Sequence, residues 1–198
     1  GVLYVRFNSG TITYGSSPSL TYGIYDSFSG GNLLNNLNLT GTENFAAINN
    51  NITYSTLNNT SPAGTYTVNY LSGLSLSNSL YALSPGSAST WTINKAALTV
   101  TANSGSKVYG NSLSLNGTEF TTSGLQNGET ATNANLSISG NGNLPSANVG
   151  TYSITPSLLS GGTFNSNNYT ITYNPANLSV TARPINLTAS AANKVYGE

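Results

Sequence analysis

The side chains able to do acid, base or nucleophilic chemistry are few. The carboxylates are Asp26, Glu43, Glu119, Glu129 and Glu198, and the chain holds neither His nor Cys. Without imidazole or thiol, Ser-His-Asp, Cys-His and zinc–histidine arrangements have no participants. A carboxylate pair is the remaining route to hydrolysis, as in glycosidases. Glu119 and Glu129 are the nearest to one, but they stand in what reads as a strand edge and a turn, where solvated charge is the expectation. A calcium site needs clustered oxygen ligands, usually several carboxylates, and Asp26 is the one aspartate. An intramolecular Lys–Asn isopeptide bond would need a buried Lys, Asn and carboxylate together; Lys107 and Lys194 recur in the same motif, but nothing else in the sequence asks for such a bond. The expectation is a protein that is not an enzyme and carries no cofactor or metal.

Aromatic residues offer binding rather than catalysis. Tyr22, Tyr25, Phe28, Trp91, Tyr169 and Tyr173 are the candidates for stacking on sugar rings, although strand alternation places half of such residues in a core. A Tyr-Gly pair occurs three times, at Tyr14-Gly15, Tyr109-Gly110 and Tyr196-Gly197. The reading of that pair is structural. The tyrosine packs or hydrogen-bonds across a hairpin, and the glycine takes a positive φ that a Cβ would resist. Asn-x-Ser/Thr triplets such as Asn38-Leu39-Thr40 arise by chance in a chain this rich in those residues.

The elements that carry these residues are repeated. LYVRFNSGTITYG from Leu3, LTVTANSGSKVYG from Leu98 and INLTASAANKVYG from Ile185 share one pattern. Each opens with apolar residues at every second position: Leu3, Val5, Phe7; Leu98, Val100, Ala102; Ile185, Leu187, Ala189. That period marks a half-buried strand, because successive side chains leave a strand on opposite faces. Gly64-Thr65-Tyr66 and Gly150-Thr151-Tyr152 open a later strand. Tyr169, Ile171 and Tyr173 lie on another, and Trp91 with Ile93, matched by Leu178 with Val180, on the last. Asn127-Gly128 is a turn dipeptide, and Glu43–Ile48 is expected to form one short helical turn. The chain therefore reads as an all-β array: a first module at residues 1–97 with an insertion at about 31–52, a second at 98–184, and the first strand of a third at 185–198. Lys95-Ala96-Ala97 and Ala182-Arg183-Pro184 are too short for floppy linkers, so the modules are expected to lie end to end as a semi-rigid rod. The last strand, from Ile185 to Ala189, is expected to pack on the second module or to pair with another chain by strand addition.

Composition limits the partners. Charged residues are 5% of the chain and net charge is zero, against about 25% charged residues in an ordinary domain. With no basic patch to neutralise phosphates, nucleic-acid binding is excluded. No apolar run approaches the roughly 18 residues of a membrane span. Hydrophobic residues at 37% and 13 tyrosines make a folded β-protein rather than a disordered one. The absence of Cys and the load of Asn, Ser, Thr and Gly suit an extracellular, secreted or cell-surface setting. The lack of an initiating Met and of a signal peptide leads to the expectation that the targeting segment lies elsewhere.

Lys-x-Tyr-Gly at Lys107–Gly110 and Lys194–Gly197, Gly-Thr-Tyr at Gly150, Asn-Tyr-x-Ile-x-Tyr at Asn168–Tyr173 and Leu-x-Val at Leu178 together resemble the MBG domain of the YGX type. The first module departs from that pattern, with no Lys two residues before Thr13-Tyr14's tyrosine and with Trp91 in place of the aliphatic residue. The resemblance implies a β-rich repeat, β-grasp-like with one short helix per module or sandwich-like. It further implies a place in large secreted bacterial surface proteins, among them filamentous-haemagglutinin-like adhesins exported by two-partner secretion and biofilm-matrix proteins. It carries no catalytic residue. Two functions follow as expectations: a stalk that projects or cross-links, or a carbohydrate-binding module. The partners expected are neighbouring repeats of the same chain, and polysaccharide or further copies of the protein.

Overall fold

The computed structural model describes residues 1–197, so Glu198 lies outside the described residues. The chain folds into two compact units. The first is Gly1–Thr99 completed by Thr122–Ala131 and Gly161–Thr172, and the second is Val100–Thr121, Thr132–Ser160 and the residues from Tyr173 onward. The 98–184 repeat thus lends two segments to the first unit, which a reading of repeats alone does not foresee.

The first repeat supplies strands β1 (Val2–Phe7), β2 (Gly10–Thr13), β3 (Tyr22–Tyr25), β4 (Leu33–Leu34), β5 (Leu39–Thr40), β6 (Asn44–Asn49), β7 (Ile52–Tyr54), β8 (Gly64–Ser72), β9 (Ser75–Leu76), β10 (Ala82–Pro85) and β11 (Ser89–Asn94). One sheet has the order β10-β1-β3-β4, another β2-β11-β8-β6-β7, and β5 and β9 form a small third sheet. Alternation does what the period of two demands: Leu3, Val5 and Phe7 point inward from β1, Tyr66, Val68 and Tyr70 from β8, and Trp91 and Ile93 from β11. Phe7 of the first sheet meets Phe45 of the second, with ring centroids 5.4 Å apart in an edge-to-face arrangement. The two sheets therefore share one core, as in a sandwich. Burying each such side chain contributes about 1.5–3 kcal/mol.

The second repeat supplies β12 (Ala96–Ala102), β13 (Gly105–Val108), β14 (Phe120–Ser123), β15 (Asn133–Ile138), β16 (Gly150–Ser160), β17 (Tyr169–Asn174) and β18 (Ala176–Thr181). Its sheets run β13-β18-β16-β15 and β14-β12-β17. In the second unit Ala102, Ile154 and Leu178 form a core cluster, with Leu113, Leu115, Leu136 and Ile138 packed against it. The Gly-Thr-Tyr strands of both repeats pair antiparallel with the last strand: Trp91 lies opposite Tyr66, and Leu178 opposite Tyr152.

The fold is all-β, with corrections in detail. Glu43–Ile48 is not helical: residues 44–49 are β6, paired with β7 on one side and β8 on the other. Helix propensity is a weak prior that tertiary pairing overrides, and burial of the adjacent Ala46 and Ala47 comes with that pairing. Among the described residues there is no α-helix, only the one-turn 3-10 segments Ser139–Asn141 and Ser166–Asn168. Of the two architectures, the one without a helix per module fits. A single residue, Lys95, separates β11 from β12, so the first junction is shorter than the three residues read from the sequence. Ile185–Ala189 forms no strand: Ile185 is 88% and Leu187 97% exposed, so the expected packing on the second module is not formed. Alternation alone cannot hold a strand whose backbone groups have no neighbour to pair with.

Candidate functional site: the Tyr-Gly corner

The corner is built the same way in both repeats. Strand β2 runs parallel to β11, with Gly10 opposite Trp91 and Thr13 opposite Asn94. The Tyr14 N–H extends that ladder by donating to the Asn94 carbonyl at 2.8 Å. Gly15 then turns the chain at φ +96°, and Ser16 N–H donates to Thr13 O at 3.0 Å. In the second repeat β13 runs parallel to β18, from Gly105 opposite Leu178 to Val108 opposite Thr181. Tyr109 N–H donates to Thr181 O at 2.8 Å, Gly110 has φ +89°, and Asn111 N–H donates to Val108 O at 3.1 Å. Gly197 has φ +95°. All three glycines of the motif thus occupy the region a Cβ disfavours.

What surrounds the tyrosine differs. Within the first unit Tyr14 is 4% exposed and lies edge-on to Tyr169, with ring centroids 5.6 Å apart. Both phenols donate to one carboxylate: Tyr14 Oη to Glu129 Oε1 at 2.7 Å, and Tyr169 Oη to Glu129 Oε2. Tyr169 Oη also accepts from the Gln126 N–H at 2.9 Å. Glu129 is held there by the Asn127-Gly128 turn, where both residues have positive φ and Glu129 N–H donates to Gln126 O at 2.9 Å. A second brace lies beside it. Asn168, nearly buried, accepts from Ala63 N–H at 2.9 Å, while Asn127 and Asn59 exchange bonds of 2.8 and 2.9 Å. A Cβ on Gly15 would overlap the Gln126 side chain, so glycine is required by contact as well as by φ.

Glu129 is therefore not the solvated charge expected of it, and Tyr169 is not a sugar platform. Together they hold Tyr14. Burial, and then the hydrogen bond to Glu129, push the Tyr14 phenol above its ordinary value and the Tyr169 phenol up to about 12. A phenol whose folded value lies above its unfolded value near 10 keeps its proton in the native state after the unfolded chain has lost it. Stability is then whole below pH 10 and declines as pH rises toward 12. We expect melting temperature to fall across that window, and to fall less in Tyr169→Phe, which has no phenol to titrate. Thermal melts at pH 9 and pH 11 check this; equal losses in both proteins would refute it.

Tyr109 is 44% exposed. Beside it Lys107, buried, donates from Nζ to Asn111 O at 2.9 Å and to Leu144 O at 2.5 Å. Those partners are backbone carbonyls, not the Asn side chain and carboxylate of an isopeptide site. Arg183 donates to the Tyr109 carbonyl at 2.9 Å and to Asn111 Oδ1 at 2.6 Å, and a Cβ on Gly110 would lie 3.1 Å from its guanidinium. That neighbour is flexible, so φ governs the cost of substitution. Gly110→Val is expected to destabilise the second unit by about 1–3 kcal/mol, measured as a lower midpoint in thermal unfolding.

Other sequence candidates scatter. Trp91 is buried, its indole N–H donating to Asn8 O at 2.9 Å and its ring filling the space beside Gly10. Trp91 and Tyr169 are thereby removed as stacking platforms. Tyr25 carries the Arg6 guanidinium 3.4 Å from its ring centroid, so one face is taken. Tyr22 packs edge-on to Phe7, and Tyr173 Oη accepts from Leu159 N–H at 2.9 Å. Phe28 is exposed and packs edge-on to Tyr4. Tyr196 is fully exposed. Glu119 caps a turn, taking N–H groups of Asn116, Gly117 and Thr118, which lower its carboxyl below the usual range. Asp26 is likewise lowered by bonds from the Asn32 backbone and side chain. No helix among the described residues is long and apolar enough to cross a membrane.

No curated protein matches the chain. Among solved structures it is similar to the fibronectin(III)-like modules of Clostridium thermocellum CbhA, at 8% identity and TM-score 0.28, over 96% of this chain and 100% of that one. It is also similar to three N-terminal domains of the bacteriophage RB49 Hoc protein (13% identity, TM-score 0.25, 90% of this chain and 70% of that one). A third similarity is to titin Ig tandem domains A164-A165 (11%, 0.25, 91% and 96%). Residues 98–179, and with them most of the second repeat, match the family model of the MBG domain (YGX type).

Proposed function

We propose that this chain is a stalk segment of a secreted bacterial surface adhesin or biofilm-matrix protein, working outside the cell to project or cross-link and not to catalyse. The observation that carries the reading is the use made of Tyr14, Glu129 and Tyr169. The side chains best suited to binding or chemistry are consumed in joining residues 115 and 155 positions apart. A protein that spends its aromatic hydroxyls and a carboxylate on internal bracing gains a stiff backbone path and keeps no open polar site there. The MBG-domain match of the second repeat supports a repeat-module role.

Sugar recognition is the competing reading, and it is tested directly. The 198-residue chain is applied to a glycan array, with intrinsic tyrosine and tryptophan fluorescence as a second readout. The stalk reading predicts no saturable signal. Saturable binding of a polysaccharide that disappears in Tyr25→Ala or Tyr173→Ala would overturn it.

A further inference from the structure

The two Tyr-Gly corners share their strand pairing, yet the tyrosine is buried in one and exposed in the other, where the Gly110 N–H donates to Pro145 O at 3.1 Å. The parallel β2/β11 pairing recurs as β13/β18, the tyrosine N–H takes a carbonyl at 2.8 Å in both, and the glycines differ by only a few degrees of φ. Around Tyr14 the corner is filled by Gln126, Glu129 and Tyr169, which come from the repeat that follows it in sequence. Among the described residues none covers the Tyr109 ring in this way, and it stands 44% exposed. Arg183 lies against this corner, holding the Tyr109 carbonyl and Asn111. Its position in the repeat is Ala96 in the first copy, whose junction cation is the neighbouring Lys95.

We propose that the Tyr109-Gly110 corner is a docking socket for a further β-repeat that presents a glutamate on an Asn-Gly turn beside a tyrosine. The incoming carboxylate accepts from Tyr109 Oη, as Glu129 accepts from Tyr14, and meets the Arg183 guanidinium. The incoming tyrosine ring packs edge-on to Tyr109. Alternating apolar positions (Ile185, Leu187, Ala189) and Lys-Val-Tyr-Gly recur from Ile185 to Gly197, so the pattern that opens a repeat begins two residues after Arg183. The inference rests on the stalk reading, since it makes the corner the element that joins successive repeats.

The test extends the chain. Residues 98–184 are appended a second time after Pro184 in place of the tail, so that a copy of the Glu129 and Tyr169 loops follows Tyr109. Tetranitromethane nitration, mapped by peptide mass, reads each tyrosine, the appended copy carrying Val108→Ile so that its peptide differs in mass from that of Tyr109. In the 198-residue chain Tyr109, 44% exposed, is expected to be nitrated and Tyr14, 4% exposed, to be protected. In the extended chain Tyr109 is expected to become as protected as Tyr14, and Glu129→Ala in the appended copy alone is expected to restore its reactivity. Amide exchange over the appended copy reads its folding in both chains. Tyr109 staying as reactive as in the 198-residue chain would overturn the proposal, and so would protection indifferent to the appended glutamate. Glycan binding would refute the stalk reading without altering Tyr109 protection, so the two failures are distinguishable.

Discussion

Tyr14→Ala is expected to destabilise the first unit by about 3–5 kcal/mol, the usual cost of truncating a buried aromatic. The ring lost is packed against Tyr169, and the hydroxyl lost serves Glu129. The second part of the cost follows from the partner left behind: the half-buried carboxylate keeps one phenol donor where it had two. Trp91 is the one tryptophan and is buried in the same unit, so denaturant unfolding followed by its emission reports that unit directly. Tyr109→Ala removes the same residue of the same motif at an exposed corner, and is expected to cost about 1 kcal/mol or less. Equal losses from the two substitutions would mean that the motif, and not its covering loops, determines the stability.

Trp91→Ala is the second large effect, also about 3–5 kcal/mol. The indole fills the β2/β11 pairing so closely that a Cβ on Gly10 would lie 2.5 Å from its ring, and its N–H is bonded to Asn8 O. Truncation opens a cavity and leaves the part-buried Asn8 carbonyl without its indole donor. Circular dichroism is the readout, since the substitution removes the fluorophore. A melting curve unchanged from the parent would return Trp91 to the surface and to the list of sugar-stacking residues.

The strand framework was legible because it rests on local signals. Leu3, Val5, Phe7 and Leu98, Val100, Ala102 alternate and are buried as alternation requires, and Gly64 and Gly150 open the strands assigned to them. Glu43–Ile48 was misread because its alanines suit a helix locally, whereas its partners β7 and β8 impose extended backbone. The segment from Ile185 shows the converse: a strand pattern is present and pairing is not. The positive φ of the Tyr-Gly glycines follows from residue type. The difference between Tyr14 and Tyr109 does not, because the residues that cover Tyr14 are more than a hundred positions away. Glu129 sits in an Asn-Gly turn, an ordinary place for a solvated acid, and no local signal distinguishes it from Glu119. Asn168 in the Asn-Tyr-x-Ile-x-Tyr pattern was the available hint, since a nearly buried amide must find a partner.

The Tyr14 phenol and the Glu129 carboxylate act as one structural pin. A double-mutant cycle of Tyr14→Phe and Glu129→Ala, with unfolding free energies from denaturant titrations of the full chain followed by Trp91 emission, tests it most directly. A coupling energy of about 1.5 kcal/mol or more is expected, as for a hydrogen bond to a charged group. Additive losses, with coupling below about 0.5 kcal/mol, would contradict it.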